Sequence, residues 1–370
     1  MTRLHPIRLG MVGGAPGGFM GDVHRMAQRM TGRFMLAAGA LSSDPQRAVT
    51  AGTMLGLPPD RSYADWRDMA AREAARPDGI QVVSIVTPNY LHLPVARAFM
   101  DHGITVICDK PLSADPAEAE AFARDIPDPD ARFIVTYTYS GYAMVRHARH
   151  LVASGALGRI RMIQVEYPQD WMALPSSGNL GWRQDIRLGG AGGCLGDIGT
   201  HALHLAEFTS GLECRQVSAL LTRIDENAAV PDSAQLLLRF ADNATGGMWV
   251  SQVAAGCGNA LCIRIYGEKA ALGWQQEYPD QLSFTPLGKA TQILERGSTD
   301  VSEPVFVPRG HPEGYVSAFA RLYDDAANLL TNQPAPLLPR FSAGLRGMRF
   351  IEAALQSSRN NGQWHDIRVG

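Results

Sequence analysis

The sequence lacks the features that mark several classes of protein. No apolar run approaches the ~18 residues of a membrane-spanning helix, and the first ten residues, MTRLHPIRLG, hold no long apolar segment of the secretory type. Blocks of like charge are also missing, and 34 basic residues nearly balance 36 acidic ones. We therefore expect a cytoplasmic protein that binds neither nucleic acid nor membranes.

Cysteine is scarce and shows no pairing pattern. The chain of 370 residues has five cysteines, scattered and odd in number, and no C-x-x-C motif. This usage favours reduced, mostly buried thiols. What is present in quantity is apolar residues, at 45% of the chain. That content and the length suit two domains with a sizeable core.

Short apolar runs alternate with helical patterns over residues 1–140. The runs IRLGMVG, FMLAAGAL, QVVSIVTP, ITVICDKP and FIVTYTY are typical of strands buried on both faces. Between them, Asp44 before Pro45 predicts the start of a helix, and Gly56 predicts its end. The repeated β-α units predict an α/β domain of the Rossmann type, with a doubly wound parallel sheet.

Longer strands with alternating polarity follow in residues 141–370. The segments IRMIQVEYPQ, QVSALLTRI, AQLLLRF, GGMWVSQVAA, LCIRIYG and ALGWQQE predict an α+β domain with a large, mostly antiparallel open sheet. Two helices close the chain, and the last of them can pack back on the first domain. The apolar residues left on one sheet face predict a homodimer or homotetramer.

A glycine-rich stretch, GMVGGAPGGFMGDVHRMA, follows the first strand. It has neither the G-x-G-x-x-G spacing nor the lysine of a Walker loop. A dinucleotide loop fits if Gly13 and Gly21 are its functional ends, with about three extra residues between them and a helix that begins after Gly21. A flexible turn without a ligand is the alternative. The cofactor-binding candidates in this loop are Gly13, Ala15, Gly17, Phe19 and Met20.

The end of the second strand, GALSSDPQRA, bears on the choice between NAD and NADP. Ser42 stands where an NAD enzyme usually has an acid for the ribose hydroxyl, and Asp44 comes two residues later. An inward-pointing Asp44 would disfavour a 2′-phosphate, which favours NAD, but Asp44 serves equally well as a helix cap. The candidates here are Ser42, Ser43, Asp44 and Arg47.

Two more strand ends carry polar residues at the edge where such sheets bind ligands. The turn Thr87, Pro88 and Asn89 leads into a helix whose first turn holds His92. Lys110, in CDKP, ends the next strand and is suited to proton transfer. The alternative is a structural lysine paired with Asp109. We include all of these as cofactor-binding candidates.

A second glycine loop precedes GDIGTHALHLAEF, which predicts a helix from about Leu195. Asp197 and His201 are four residues apart and therefore share one helix face. His204 and Glu207 extend the series and raise the possibility of zinc. The set does not match H-E-x-x-H and has no cysteine pair, so we expect no metal.

These motifs, in this order, resemble the Gfo/Idh/MocA family of NAD(P)-dependent sugar and polyol oxidoreductases. The matching segments are the glycine turn ending in GDVH, then TPNYLH, CDKP, GDIGTH and the closing GLRGMRFIEAALQSSRNNGQW. The resemblance covers nearly the whole chain. The chain departs from the family in its longer glycine loop, in Asp109 for the usual Glu, and in SGYAM where many members have R-F-x-P.

The resemblance implies hydride transfer between a secondary alcohol or hemiacetal carbon of a sugar, cyclitol or glycoside and the nicotinamide of NAD or NADP. It also implies that Lys110, Asp197 and His201 line the substrate site. We expect His201 to be the acid/base, Lys110 to stabilise charge on the reacting oxygen, and Asp197 to orient the substrate or His201. The roles of Lys110 and His201 stay interchangeable. Further pocket candidates are Tyr139, Tyr142, Trp171 and Arg183.

Two other functions fit the same residues. One is a glycoside hydrolase that uses tightly bound NAD as an internal redox cofactor, and the other is a non-catalytic dinucleotide sensor. A complete acid/base set argues against the sensor, because binding alone does not need one.

Overall fold

The computed structural model describes residues 6–173, 181–226 and 228–367. A five-stranded parallel sheet lies at the N-terminal end of the chain, in the order β2-β1-β3-β4-β5. β4 is buried along its whole length, as expected for a strand with both faces covered. The predicted Rossmann sheet is therefore confirmed. Its strands are β1 (Ile7–Gly13), β2 (Phe34–Ala40), β3 (Val82–Val86), β4 (Thr105–Cys108) and β5 (Phe133–Val135).

Helices follow the strands of this sheet. The second helix starts as its sequence predicts, because Asp44 accepts a hydrogen bond from the Arg47 amide at 2.7 Å, and Gly56, with φ +73°, follows its end. β5 is shorter than the run FIVTYTY suggests, because a 3₁₀ turn forms at Thr138–Gly141. The helices are α1 (Phe19–Thr31), α2 (Pro45–Met54), α3 (Trp66–Ala74), α4 (His92–Asp101) and α5 (Pro116–Asp125).

The second sheet has nine strands in the order β13-β12-β11-β10-β6-β9-β8-β7-β14. Every neighbouring pair is antiparallel except β6 and β9, which run parallel, so the predicted open, mostly antiparallel sheet is confirmed. Its strands are β6 (Ile160–Pro168), β7 (Cys214–Thr222), β8 (Ser233–Phe240), β9 (Thr245–Ser251), β10 (Cys262–Gly267), β11 (Ala270–Gln275), β12 (Gln281–Pro286), β13 (Gln292–Glu295) and β14 (His365–Asp366).

The later helices include one unusual segment. Residues Leu195–Gly199 form a π-helical turn that runs directly into the following α-helix. π-Helical turns within helices are frequent at functional sites. The helices are α6 (Ala143–Ala153), α7 (Ile186–Gly189), α8 (Thr200–Ser210), α9 (Tyr315–Leu330) and α10 (Phe341–Arg359).

The chain divides into two compact units that differ from a simple cut at residue 140. The first unit contains residues 1–113, 117–138 and 319–344, and the second contains 114–116, 139–318 and 345–370. Contacts within the first unit explain why residues 319–344 belong to it. The Val135 amide donates to the Pro339 carbonyl at 3.1 Å, and Phe341 stacks on Phe122 with ring centroids 5.3 Å apart.

Candidate active site

The glycine-rich loop between β1 and α1 packs backbone against backbone. Gly13 has φ +75° and lies beside the end of β3, where an added Cβ would stand 2.3 Å from the Val86 carbonyl oxygen. A Cβ on Gly21 would stand 2.5 Å from the carbonyl oxygen of Gly14. Both positions therefore require glycine. This close approach fits a loop that brings its backbone to a pyrophosphate at the start of a helix.

Helix α1 begins at Phe19, so the predicted start after Gly21 is wrong. Phe19 is 71% exposed, and the N-cap residue, Gly18, has no side chain to cap the helix. Neither an apolar period nor a capping residue therefore marks the start. Among the candidates, Ala15 and Gly17 lie in the loop, whereas Phe19 and Met20 open the helix.

Arg25, which the sequence analysis missed, anchors the loop from the helix side. Its guanidinium donates to the Gly14 carbonyl and pairs with the Asp22 carboxylate. The side chain is only 5% exposed. The spacing of Asp22 and Arg25, three residues apart in one helix, is the sequence signal that marks the pair.

The end of β2 presents polar residues at the surface. Asp44 caps α2 through the Arg47 amide, and its own amide donates to Ser42 Oγ at 3.2 Å. Ser43, Asp44 and Arg47 are exposed, and Ser42 is half-buried. Asp44 therefore caps α2 through one carboxylate oxygen, Oδ1, and its other oxygen can make further contacts.

His92, the first residue of α4, is buried rather than exposed. Its Nδ1 lies 2.7 Å from the Pro111 carbonyl oxygen and its Nε2 lies 2.9 Å from the Thr87 carbonyl oxygen. Burial lowers the pKa of His92, against hydrogen bonds to these carbonyls that raise it. Both ring nitrogens face the backbone, which favours a positioning role over direct contact with a cofactor.

Asp109 and Lys110 directly follow β4. Asp109 is held by His24, whose Nε2 lies 3.1 Å from Oδ1, and by the Thr136 hydroxyl at 2.7 Å. Burial raises the pKa of Asp109, but the charge of His24 and the hydrogen bonds from His24 and Thr136 outweigh it and hold this pKa below its usual value. The residue before Lys110 is therefore an ionised, fixed carboxylate.

Asp197 and His201 belong to the second unit. Asp197 lies in the π-helical turn and accepts a hydrogen bond at Oδ2 from Gln252 at 2.8 Å, while Oδ1 lies 3.9 Å from Arg183 Nε. His201 is the second residue of α8, and Tyr139 contacts its ring edge-on with centroids 4.9 Å apart. The carboxylate and the imidazole are thus each held by a neighbouring side chain.

A row of polar side chains runs from Tyr139 to an exposed indole. The hydroxyls of Tyr139 and Tyr167 share a hydrogen bond, and Tyr167 donates to Asn259 Oδ1 at 2.8 Å. Gln169 donates to the same oxygen at 2.7 Å and accepts from Trp171 Nε1 at 3.0 Å. Burial raises the pKa of both tyrosines, which therefore stay neutral. Tyr139 and Trp171 are candidates from the sequence, whereas no motif in the sequence marks the residues between them.

The remaining pocket candidates have different surroundings. Tyr142 is buried against Trp274, and its hydroxyl accepts from Gln276 at 3.4 Å. These contacts favour a packing role for Tyr142. Arg183 is half-exposed and lies over the Trp182 ring at 4.7 Å, in addition to facing Asp197.

His204 and Glu207 have structural surroundings. Glu207 pairs with Arg346 at 2.9 Å and accepts from the Cys214 amide at 2.7 Å. Burial, with a contribution from the positive charge of Arg149, lowers the pKa of His204 to about 3. Over the described ranges, we find no group of three His, Cys, Asp or Glu side chains arranged to hold a metal ion.

Comparison with known proteins extends this description. The family model described as "Oxidoreductase family, NAD-binding Rossmann fold" matches residues 7–137, and the model of the GFO/IDH/MocA C-terminal domain matches residues 145–273. An uncharacterized oxidoreductase of Bacillus subtilis, YfiI, is 31% identical over 98% of this chain and 97% of its own length. The chain belongs to the Gfo/Idh/MocA family.

The chain is also similar to dehydrogenases and to a homologue solved with its ligands. The crystal structure of an inositol dehydrogenase homolog from Azotobacter vinelandii, complexed with NADH and myo-inositol, is 35% identical, with a TM-score of 0.89 over 98% of each chain. Levoglucosan dehydrogenase from Pseudarthrobacter phenanthrenivorans is 31% identical over 75% of each chain. The resemblance predicted from the motifs is therefore confirmed, as are an oxidoreductase activity and an NAD-binding domain. Within the described residues, every helix is too short or too polar to cross a membrane.

Proposed function

We propose that the chain is a dehydrogenase that oxidises a secondary alcohol or hemiacetal carbon of a sugar, cyclitol or glycoside. The observation that carries this proposal is the polar row of the second unit, which ends at the 46% exposed Trp171. Amide and hydroxyl groups in fixed positions suit a ligand with many hydroxyls, and an indole face suits the apolar face of a ring. The inositol and levoglucosan dehydrogenases among the relatives support this substrate class.

The residues divide the chemistry as follows in this proposal. Bound NAD supplies the acceptor for the hydride that leaves the carbon. His201 accepts the hydroxyl proton, and Asp197, fixed by Gln252, orients His201 or a substrate hydroxyl. Lys110 donates a hydrogen bond to the reacting oxygen and stabilises its developing negative charge.

We further propose that NAD is preferred over NADP. The carboxylate of Asp44 remains at the end of β2 even while it caps α2, and a negative charge there repels a 2′-phosphate. Arg47, exposed in the first turn of α2, is the residue that favours NADP. The relative affinity for the two cofactors tests this balance directly.

The test of the proposed function is a substrate panel. Aldoses, inositols, anhydrosugars and glycosides are each assayed with NAD and with NADP, on the wild type and on Lys110→Ala. We expect NADH production with at least one class and a loss of about 10²-fold or more in Lys110→Ala. Lys289→Ala, at an exposed turn between β12 and β13, is the matched control and keeps full activity.

The same panel separates the other two functions. Cleavage of a glycoside by dialysed protein without net NADH would indicate a hydrolase that recycles its NAD. Binding of NADH with no turnover of any compound would indicate a sensor. Full turnover in Lys110→Ala contradicts the catalytic assignment.

We also propose a homodimer, or a tetramer built from such dimers, through the outer face of the nine-stranded sheet. Along β8, Leu236 and Leu238 are buried whereas Leu237 between them is 59% exposed. Leu220 on β7 is 61% exposed. Exposed leucines on a broad sheet face favour burial against a second copy. A monomer in size-exclusion chromatography with light scattering would contradict this.

A further inference from the structure

Two buried histidines of the first unit hold the residues on either side of Lys110. On the N-terminal side, His24 of α1 donates from Nε2 to Oδ1 of Asp109 over 3.1 Å. His24 is fully buried, and 85 residues separate it from Asp109 along the chain. The Thr136 hydroxyl donates to the same oxygen at 2.7 Å. The Asp109 side chain is therefore held by two donors from different elements.

The other nitrogen of His24 is fixed as well. Nδ1 lies 2.6 Å from the Tyr323 hydroxyl, which also accepts from Gln28 Nε2 at 3.1 Å and shares a hydrogen bond with Ser84 at 2.7 Å. A buried polar group without a partner is costly. This network satisfies both ring nitrogens and so leaves the imidazole one orientation, with Nε2 directed at Asp109.

On the C-terminal side, His92 holds Pro111 through its backbone. The contact from Nδ1 to the Pro111 carbonyl, at 2.7 Å, is shorter than that from Nε2 to the Thr87 carbonyl, at 2.9 Å. A ring nitrogen that carries a proton donates to the carbonyl oxygen that it faces. His92 thus joins the turn after β3 to the segment after β4.

We propose that His24 and His92 are positioning residues that fix Lys110 by clamping Asp109 and Pro111. The inference rests on the proposed function, in which Lys110 acts on the reacting oxygen. A lysine has a long, flexible side chain. Its ammonium group takes up a defined position only if the backbone of the lysine is held in place. Asp109 cannot shift without breaking the His24 contact, and Pro111 cannot shift without breaking the His92 contact.

Amide side chains distinguish the two ring nitrogens. The Asn amide nitrogen reaches the place of Nδ1, and the Gln amide nitrogen reaches that of Nε2. At position 24, His24→Gln keeps the donor to Asp109, whereas His24→Asn loses it. At position 92 the order reverses, since His92→Asn keeps the donor to Pro111 and His92→Gln loses it.

We expect kcat to fall about tenfold or more in His24→Asn and His92→Gln, with the Kd for NADH within about twofold of the wild type. His24→Gln and His92→Asn keep most of the wild-type kcat. His102→Gln, at an exposed position after α4, is the control for the exchange of a histidine for an amide. It leaves kcat unchanged. Equal kcat in the two variants of each pair, or the reverse order, overturns the proposal.

Hydrogen exchange gives a readout that needs no substrate. In His24→Asn and His92→Gln we expect faster amide exchange in the peptide that covers residues 105–113, and wild-type exchange there in His24→Gln and His92→Asn. If no compound of the panel is oxidised but this exchange pattern appears, the proposed substrate class is contradicted and the positioning role of His24 and His92 is supported. If the wild type oxidises a compound of the panel and all four variants show wild-type exchange, the positioning role of His24 and His92 is contradicted and the proposed function is supported.

Discussion

Gln252 donates its side-chain amide to Oδ2 of Asp197 at 2.8 Å. Gln252 directly follows β9, and Asp197 lies in the π-helical turn before α8. Gln252 is only 4% exposed. The amide therefore has little freedom to turn away, and it fixes the carboxylate that we propose orients the substrate or His201.

Replacement of Gln252 by Leu removes this donor and keeps the volume. A hydrogen bond to a charged group contributes ~1.5–3 kcal/mol, so we expect kcat/KM for the sugar to fall about tenfold or more while the Kd for NADH stays unchanged. Steady-state kinetics and a fluorescence titration of NADH measure the two quantities. Gln235→Leu, at an exposed position of β8, is the control. A kcat/KM within twofold of the wild type would show that Asp197 needs no such support.

Replacement of Gly21 by Ala tests the backbone contact in the glycine loop. The new Cβ would stand 2.5 Å from the Gly14 oxygen and 2.6 Å from its Cα, so the loop or helix α1 must move. We expect the Kd for NADH to rise about tenfold or more and the Tm to fall. Gly18→Ala is the matched control, because its Cβ comes no closer than 3.2 Å to another atom, the Ala15 oxygen, and its φ of −88° suits alanine. Similar NADH affinity in both variants would contradict the role assigned to Gly21.

Replacement of Trp171 by Ala tests the platform for the sugar ring. Loss of the indole face is expected to raise KM for the sugar about tenfold, with a smaller rise in Trp171→Phe, because phenylalanine keeps an aromatic face. The value of kcat stays close to that of the wild type. Trp364→Ala removes a comparably exposed indole that packs on Arg239 and serves as the control. An unchanged KM in Trp171→Ala would remove this residue from the site.

We expect acid to destabilise the protein through two histidines, His204 and His92, whose pKa values burial lowers. Burial lowers the pKa of His204 to about 3 in the folded state, whereas the unfolded chain titrates near ~6.5. The unfolded state therefore binds the proton first. The contribution of the neutral His204 to the free energy of unfolding is complete above pH ~6.5. It falls by ~1.4 kcal/mol per pH unit as the pH falls towards 3. His92, whose pKa burial also lowers, acts in the same direction.

Urea unfolding at pH 7.5 and pH 5 measures this loss. We expect His204→Gln to show a smaller difference in unfolding free energy between the two pH values than the wild type. His102→Gln, at an exposed position after α4, keeps the wild-type difference. Identical pH dependence in wild type and His204→Gln would contradict a His204 that is neutral in the folded state.

The sequence predicted the elements that carry their own signals. The apolar runs that form β1, β3 and β4 are nearly continuous. Asp44, a capping residue, and Pro45, the first helical residue, mark the start of α2. Lys110, Asp197 and His201 were proposed as site residues because they stand in motifs. The start of α1 was missed because it carries neither an apolar period nor a cap.

Long-range partners explain most of what the sequence could not reveal. His24 and Gln28 are polar residues of an amphipathic helix, and nothing local shows that they are buried. Their common partner, Tyr323, is 299 residues from His24. The row from Tyr167 to Gln169 likewise depends on Asn259, 90 residues beyond Gln169. Contacts of this kind follow from the topology rather than from any local pattern.

Residues 319–344 belong to the first unit but are synthesised near the end of the chain. The N-terminal part of the first unit leaves the ribosome early, but the carbonyl of Pro339, which accepts from the edge strand β5, is made after most of the second unit. A nascent chain that ends near residue 140 therefore exposes an unpaired strand edge and lacks the Tyr323 hydroxyl for His24. Synthesis of the first unit therefore begins first, but the edge of β5 stays without this partner until residue 339 has been made.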